Sequence, residues 1–137
     1  MQYIKVDKDF VLNDEQFIKR CDHLWFHWEG VSSDEQDSEH EKQDEGNIEF
    51  IKQVAPSVRE FFDKYAEKVE PDSRLVSSTY SEKHRFQKLA KYSPEYNGKG
   101  FYSTERAFVL IMLEAGLDVY KVIDGRYWRY ISPYYFE

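Results

Sequence analysis

The sequence predicts an α+β fold in which a helical body precedes a C-terminal antiparallel β-hairpin, within a single domain of residues 1–137. Residues Glu105 to Gly116 are apolar nearly all round. A helix without a polar face has to be buried, so this segment predicts the centre of the fold. Two aromatic, β-prone runs follow it, and the Asp124-Gly125 dipeptide between them is a strong hairpin signal.

The N-terminal part predicts one strand and one helix. Gln2 to Val6 alternates weakly and contains β-prone residues, which is typical of a short strand. Asn13 is a suitable N-cap for a helix of about four turns, with Gln16 as its capping-box partner and Gly30 as its C-terminal stop. The apolar stripe of this helix consists of Phe17, Cys21, Leu24 and Trp28.

An acidic segment separates this helix from the next one. Residues 31–47 contain almost no apolar side chains, and they predict a mobile acidic loop inside the domain. Ile48 to Val54 predicts a short helical turn, and Pro56 predicts the start of a second strong helix. The apolar stripe of that helix consists of Val58, Phe61, Phe62, Tyr65 and Val69.

The second half of the chain predicts the remaining elements. Thr79 and Glu82 form a capping box that opens a helix from Tyr80 to Tyr92. Ser103 or Thr104 is the expected cap of the buried helix. The strands of the hairpin are predicted at Val119 to Ile123 and at Tyr127 to Ile131, and the aromatic tail from Pro133 onwards is expected to dock on the body.

Composition restricts the class of protein. Of the 137 residues, 41% are apolar and 18% are aromatic, which is enough to build the core of one domain. No apolar run approaches the roughly 20 residues that a membrane span needs, and the N-terminus lacks the apolar region of a signal peptide. The single cysteine excludes an intramolecular disulfide. We therefore expect a cytoplasmic protein.

The net charge of −7 is unevenly distributed along the chain. Residues 1–70 contain 18 acidic and 9 basic side chains, whereas residues 71–137 contain 8 acidic and 10 basic ones. An acidic protein is poorly suited to sequence-independent DNA binding and well suited to contacting a basic protein. The charge therefore favours a protein partner over nucleic acid, and a well-solvated surface is the plainer explanation of it.

Motifs for catalysis or metal binding are weak or absent. His23 and His27 have the i, i+4 spacing of two metal ligands and lie near Cys21, but the Glu of a His-Glu-x-x-His motif is missing, so exposed histidines are the better interpretation. The acidic segment lacks the Gly and Glu positions of a calcium-binding EF-hand. Nucleophile-elbow, P-loop and dinucleotide-binding motifs are also missing. We expect no catalytic residue, no cofactor and no metal, and a protein that is not an enzyme.

Basic side chains support an alternative function, nucleic-acid binding. Its candidate contacts are Lys83, Arg85, Lys88 and Lys91 on the outer face of the predicted helix, together with Arg126 and Arg129 on the last strand. Arginines that extend from a half-buried strand are the plainer interpretation of the last two. Three helices followed by a hairpin also have the order of a winged helix. A recognition helix needs polar side chains, however, and residues 105–115 present mainly apolar ones.

Two segments carry a family resemblance. The first runs Ser78-Thr-Tyr-Ser-Glu-Lys-His-Arg-Phe86, and the second extends from Gly100 to Gly116. They resemble a domain of small, poorly characterised proteins of bacteriophages and mobile elements, with the pattern Tyr-x-x-Lys-His, Tyr-x-Ser and Phe-x-x-x-Met-x-x-Ala-Gly. The matching residues are Tyr80, Lys83, His84, Tyr102, Ser103, Phe108, Met112, Ala115 and Gly116, within about the last 60 residues. The resemblance implies a phage or related element acting in the bacterial cytoplasm, and it implies no activity.

His84 allows two interpretations within this pattern. It lies one helical turn after Tyr80, so the two side chains are expected to touch. A structural histidine is the plainer interpretation, and a ligand-contacting Lys83-His84 pair is the alternative.

Taken together, the sequence predicts a non-enzymatic interaction protein of a phage or mobile element. Its most concrete form is an inhibitor that binds host nucleic-acid-handling or defence machinery, such as a CRISPR effector or another basic nuclease, through an acidic surface. The predicted partner-binding residues are Asp34, Glu35, Asp37, Glu39, Glu41, Asp44 and Glu45. The alternative is a nucleic-acid-binding regulator that uses the basic helix and the hairpin. The sequence also allows a homo-oligomer, because the tail Tyr134-Tyr135-Phe136 can pack on a second copy as well as on its own core.

Overall fold

The computed structural model describes residues 1–21, 26–28, 44–92 and 101–137, and for residues 26–28 and 44–50 it describes the backbone. These ranges contain five helices. They are α1 (Lys8–Asn13), α2 (Glu15–Cys21), α3 (Asp44–Tyr65), α4 (Thr79–Tyr92) and α5 (Glu105–Glu114). Within the same ranges, no helix is both long and apolar enough to cross a membrane.

The strands of the described ranges pair in three antiparallel sheets. They are β1 (Gln2–Lys5), β2 (Phe26–Trp28), β3 (Ala66–Lys68), β4 (Ser77–Ser78), β5 (Phe101–Ser103), β6 (Tyr120–Asp124), β7 (Tyr127–Ser132) and β8 (Tyr134–Phe136). The largest sheet has the order β1-β6-β7-β4, and β2–β5 and β3–β8 form two-stranded sheets. The mixed composition of helices and antiparallel sheets confirms the α+β class.

Helix α5 is the centre of the fold. Its residues from Phe108 to Met112 are at most 2% exposed, and it packs against α1, α2, α3, α4 and β5. Each large apolar side chain buried in this way contributes about 2 kcal/mol. Thr104 caps the helix by accepting a hydrogen bond from the Ala107 amide at 3.2 Å. The prediction of a buried helix is confirmed, and an internal helix cannot enter a DNA groove as a winged-helix reader does.

Two glycines end elements in the left-handed region of the backbone. Gly116 has φ +80° after α5, and the Leu117 amide donates to the Met112 carbonyl at 3.0 Å, as in a Schellman motif. Gly125 has φ +63° in the hairpin turn. Because Asp124 pairs with Tyr127, the two-residue loop is Gly125-Arg126, one position later than the predicted Asp124-Gly125.

The predicted first helix is wrong in extent. In place of one helix from the Asn13 cap to Gly30, α2 covers Glu15–Cys21, and Trp28 belongs to strand β2. Helix α1, which ends at Asn13, was not predicted, and a break separates it from α2. The break lies at Asp14, which is extended, with φ −76° and ψ +99°. Asn13 ends α1 and donates its amide to the Asp9 carbonyl at 2.8 Å. Leu24 and Gly30 lie outside the described residues.

Helix α3 starts earlier than the sequence predicts. It includes residues 44–47, which were expected in the acidic loop, and it continues through Pro56. An internal proline removes one helical hydrogen bond. The apolar stripe nevertheless runs on both sides of it, with Ile51 and Val54 before it and Val58 after it, all at most 4% exposed. Packing of this stripe against α5 outweighs the lost bond. Residues 31–43 lie outside the described part of the chain.

The start of α4 and the chain end complete the fold. Ser78, and not Thr79, caps α4, because its hydroxyl accepts from the Ser81 amide at 3.1 Å. Thr79 is fully buried instead and donates to Glu105 Oε2 at 2.7 Å. The aromatic tail docks on the body as expected: β8 pairs with β3, and Phe136 is 7% exposed.

Candidate functional site

A groove of about 600 Å³ lies between α3, α4 and β8. We call it the basic groove. Among the described residues, it is lined by Phe61, Lys64, Tyr65, Arg85, Lys88, Leu89, Tyr92, Phe136 and Glu137. Its volume is typical of sites that hold one small ligand or part of a longer one.

Helical spacing places the walls of the groove. Phe61, Lys64 and Tyr65 are three and four residues apart on α3, so they share one face of that helix. Arg85, Lys88, Leu89 and Tyr92 follow the same rule on α4. Both helices therefore direct one mixed basic and aromatic face toward the groove.

Phe136 connects these two walls. Its ring stacks on Phe61 at 5.1 Å between centroids, and it meets Phe62 edge-on at 5.2 Å. On the α4 side, the guanidinium carbon of Arg85 lies 5.2 Å from the centre of the Phe136 ring. The β3–β8 pairing, which opposes Ala66 and Phe136, holds this ring in place. The groove therefore depends on the docked chain end.

The charge of the groove is locally positive in an acidic protein. Lys64, Arg85 and Lys88 are exposed along it, and the carboxylate among its lining residues is that of Glu137. Lys64 Nζ lies 5.4 Å from the centre of the Tyr65 ring. This arrangement favours an anionic ligand.

Two tyrosine rings at the groove are open to solvent. Tyr65 is 42% exposed and Tyr92 is 70% exposed. Lys91 Nζ lies 5.3 Å from the centre of the Tyr92 ring. Exposed rings beside cations have the composition of surfaces on which nucleic-acid bases stack.

The predicted nucleic-acid contacts divide into three groups. Arg85 and Lys88 line the basic groove, and Lys91 is exposed beside it on α4. Arg126 and Arg129 are exposed on the β6–β7 hairpin and are not among the residues that line the groove.

Lys83 is a correction, because it does not lie on the outer face of α4. It is 4% exposed, and its ammonium donates to the Ser103 carbonyl at 3.0 Å. Burial lowers its pKa. Lys83 precedes Phe86 and Ala90 by three and seven residues, and both of those are fully buried. This spacing was the available signal that Lys83 faces inward.

The segments that carry the phage-protein resemblance meet around Lys83. Its ammonium lies 5.0 Å from the centre of the Tyr80 ring and 5.1 Å from that of Tyr102. Tyr80 and His84 touch edge-to-face at 4.4 Å, which confirms the expected contact. The arrangement gives these residues a structural role in joining α4 to β5. Whether His84 also contacts a ligand stays a prediction.

The acidic residues predicted to bind a partner fall largely outside the described part of the chain. This applies to Asp34, Glu35, Asp37, Glu39 and Glu41. Asp44 and Glu45 belong to the first turn of α3, where the structure describes the backbone. The described surface therefore contains residues of the alternative hypothesis, nucleic-acid binding through basic side chains.

Of the nine described residues that line the groove, the sequence predicted two as site residues, Arg85 and Lys88. Lys64, Tyr65, Tyr92 and Phe136 were not singled out as site residues. Tyr65 was placed in the apolar stripe of its helix, where it would be buried, yet it is exposed at the end of α3. The pairing of β3 with β8, which brings Phe136 to this place, has no local signal in the sequence.

Metal binding and thiol chemistry find little support in the described ranges. These ranges contain no group of three His, Cys, Asp or Glu side chains close enough to hold a metal ion. Cys21 is half-buried, and burial raises the pKa of its thiol, which makes it a weak nucleophile. His23 lies outside the described residues. Comparison of the chain with known protein families, with curated proteins and with solved structures found no match.

Proposed function

We propose that this protein is a non-enzymatic binding protein whose basic groove holds single-stranded nucleic acid. The observation that supports this proposal is the placement of the exposed Tyr65 and Tyr92 rings beside Lys64, Arg85 and Lys88 in one groove. Bases stack on exposed aromatic rings, and phosphates pair with nearby cations. The combination of rings and cations favours nucleic acid, because a ligand that carries only negative charge would not stack on the tyrosine rings.

A single strand fits the groove better than a duplex. Major-groove reading needs a protruding helix or ribbon with polar side chains, and the helix that a winged helix would use, α5, is internal. A single strand presents unpaired bases and can bind along a narrow groove. The net charge of −7 repels a polyanion at long range. We therefore expect moderate affinity that depends on local contacts.

Fluorescence anisotropy with a labelled oligothymidylate of about eight nucleotides tests the proposal. Tyr92→Ala should weaken binding about tenfold, since one stacked base contributes about 1–3 kcal/mol. Tyr127→Ala is the matched control, because Tyr127 is 64% exposed on the hairpin and does not line the groove. Its affinity should equal that of the unmodified protein.

Three outcomes would contradict the proposal. The first is an absence of binding at low salt. The second is an equal effect of Tyr92→Ala and Tyr127→Ala, which would place the ligand elsewhere or make the binding non-specific. The third is an oligoglutamate of matched charge that competes as well as the oligothymidylate, which would assign the groove to an acidic peptide.

The inhibitor hypothesis stays a separate prediction of the sequence. It requires a basic host protein that contacts the seven acidic residues named above. Co-purification from bacterial lysate, with the unmodified protein and with those acids replaced by Ser or Gln, tests it. Loss of a co-purifying basic protein in the substituted chain would support that hypothesis.

A further inference from the structure

A second cavity opens on a neighbouring face of α4. It has a volume of about 440 Å³, and we call it the α4 cleft. Its lining includes His84, Gln87, Lys88, Lys91 and Phe101. Phe101 is 5% exposed and packs edge-on against Phe86, so it forms a buried apolar wall of the cleft.

Lys88 belongs to both cavities. Arg85, Lys88 and Tyr92 lie on one face of α4, and His84, Lys88 and Lys91 lie on the neighbouring face. These two faces are rotated by about 100°, which separates them by roughly 8 Å at the surface of a helix 10–12 Å wide. The basic groove and the α4 cleft are therefore neighbouring sites with one lysine on the ridge between them.

The chemistry of the α4 cleft complements that of the basic groove. Lys91 and Lys88 supply positive charge, while Gln87 and His84 supply groups that form hydrogen bonds. Burial, together with the charge of Lys83, lowers the pKa of His84, so its imidazole is neutral at neutral pH. A neutral ring beside two ammonium groups suits a base with its adjoining phosphate.

We propose that one nucleic-acid strand crosses α4 over Lys88, with one base in the basic groove and a neighbouring base in the α4 cleft. This inference rests on the proposed function and extends it from a ligand class to a minimum ligand length. Each cavity has the volume of a site for one small ligand, so a mononucleotide occupies one of them and only an oligonucleotide occupies both. Lys88 then contacts the phosphate between the two bases.

The salt dependence of the binding constant reports how many phosphates the protein neutralises, so its measurement tests this inference. For single strands, the logarithm of the binding constant falls with the logarithm of salt concentration by about 0.7 for each neutralised phosphate. With oligothymidylate, Lys64→Met in the basic groove and Lys91→Met in the α4 cleft should each reduce this slope by about 0.7. Lys88→Met should reduce both slope and affinity. Thymidine monophosphate should bind at least about tenfold more weakly than the oligonucleotide.

Lys52→Met is the matched control for these variants. Lys52 is exposed on α3, twelve residues before Lys64 and so roughly 18 Å along the helix. The salt dependence of oligothymidylate binding should be the same for Lys52→Met as for the unmodified protein. If Lys64→Met reduced the salt dependence of binding and Lys91→Met did not, the strand would not occupy both cavities. The proposed function would then be unaffected. Absence of binding by any oligothymidylate would overturn both.

Discussion

At the residue scale, Glu82 is an acid that the fold keeps in its interior. It is fully buried on α4, and the Ser132 hydroxyl donates to its Oε1. Its second oxygen has no hydrogen-bond partner within the described part of the chain. Burial raises the pKa of Glu82 well above its usual range, and the Ser132 hydrogen bond and the charge of Arg85 offset only part of this. The neutral form is therefore the form that the fold favours.

This raised pKa predicts how stability changes with pH. A carboxyl whose pKa is higher in the folded than in the unfolded state stabilises the fold below its unfolded pKa of about 4.3, and that stabilisation is lost as the pH rises through the folded pKa. Glu82→Gln removes the titration. The free energy of unfolding of the unmodified protein, relative to Glu82→Gln, should fall by up to about 1.4 kcal/mol per pH unit over that window.

Urea unfolding at a series of pH values measures this difference. Glu60→Gln is the control, because Glu60 is exposed on α3, and its pH profile should run parallel to that of the unmodified protein. If Glu82→Gln also ran parallel, Glu82 would not be the group that titrates.

At the element scale, a buried ion pair fastens α2 to the hairpin. Lys121 on β6 donates to Asp14 Oδ2 at 2.8 Å and to Gln16 Oε1 at 2.7 Å, and Tyr130 donates its hydroxyl to Asp14 Oδ2 at 2.6 Å. The side chains of Lys121 and Asp14 are 5% and 6% exposed. Burial by itself raises the pKa of Asp14, but the hydrogen bonds and charge of these partners outweigh it and hold that pKa below its usual value.

Removing one partner of this pair should cost more than removing both. Lys121→Met leaves the Asp14 carboxylate buried and without its counter-ion, which should lower the free energy of unfolding by about 3 kcal/mol. The double variant Asp14→Leu with Lys121→Met should recover part of that loss, because no buried charge stays unpaired, although the Tyr130 hydroxyl loses its acceptor. A double-mutant cycle by urea unfolding measures the coupling.

Lys5→Met is the control for this cycle. Lys5 pairs with Asp118 at 3.4 Å, but its side chain is 62% exposed, so the loss should stay below about 1 kcal/mol. A Lys121→Met variant as mild as Lys5→Met would show that the buried pair does not hold α2 in place.

At the scale of the whole molecule, α5 is the helix against which the other four described helices pack. Residues from Phe108 to Met112 are buried under four other helices and β5. The β3–β8 pair, in contrast, consists of two three-residue strands that form a separate sheet. Local stability should therefore decrease from α5 outward.

Native-state hydrogen exchange measures this gradient. The amides of α5 should exchange only through global unfolding, with the same free energy as urea unfolding. The amides of β3 and β8 should exchange through a smaller local opening. If α5 exchanged as readily as β8, the molecule would have another stable centre. Opening of the β3–β8 pair would also move Phe136 and so disturb the basic groove.

The elements that sequence predicts correctly are those whose cause is local. The stretch from Phe108 to Met112 is apolar on every face, so no orientation of the helix exposes a polar side, and burial follows whatever surrounds it. Helix α4 and the hairpin strands depend on period and turn chemistry, which also act over a few residues. These features were predicted with errors of at most one position at their ends.

The site depended on contacts between distant segments. Asp14 separates α1 from α2, and its carboxylate is held by Lys121 and Tyr130, more than a hundred residues away. The place of Phe136 follows from the pairing of β8 with β3. The periodicity of apolar residues indicates the secondary structure that a segment favours by itself. These placements depend instead on contacts between segments, which stabilise them only in the folded molecule. The sequence therefore determined the buried scaffold of this protein, and the tertiary structure decided where its basic and aromatic side chains form a groove.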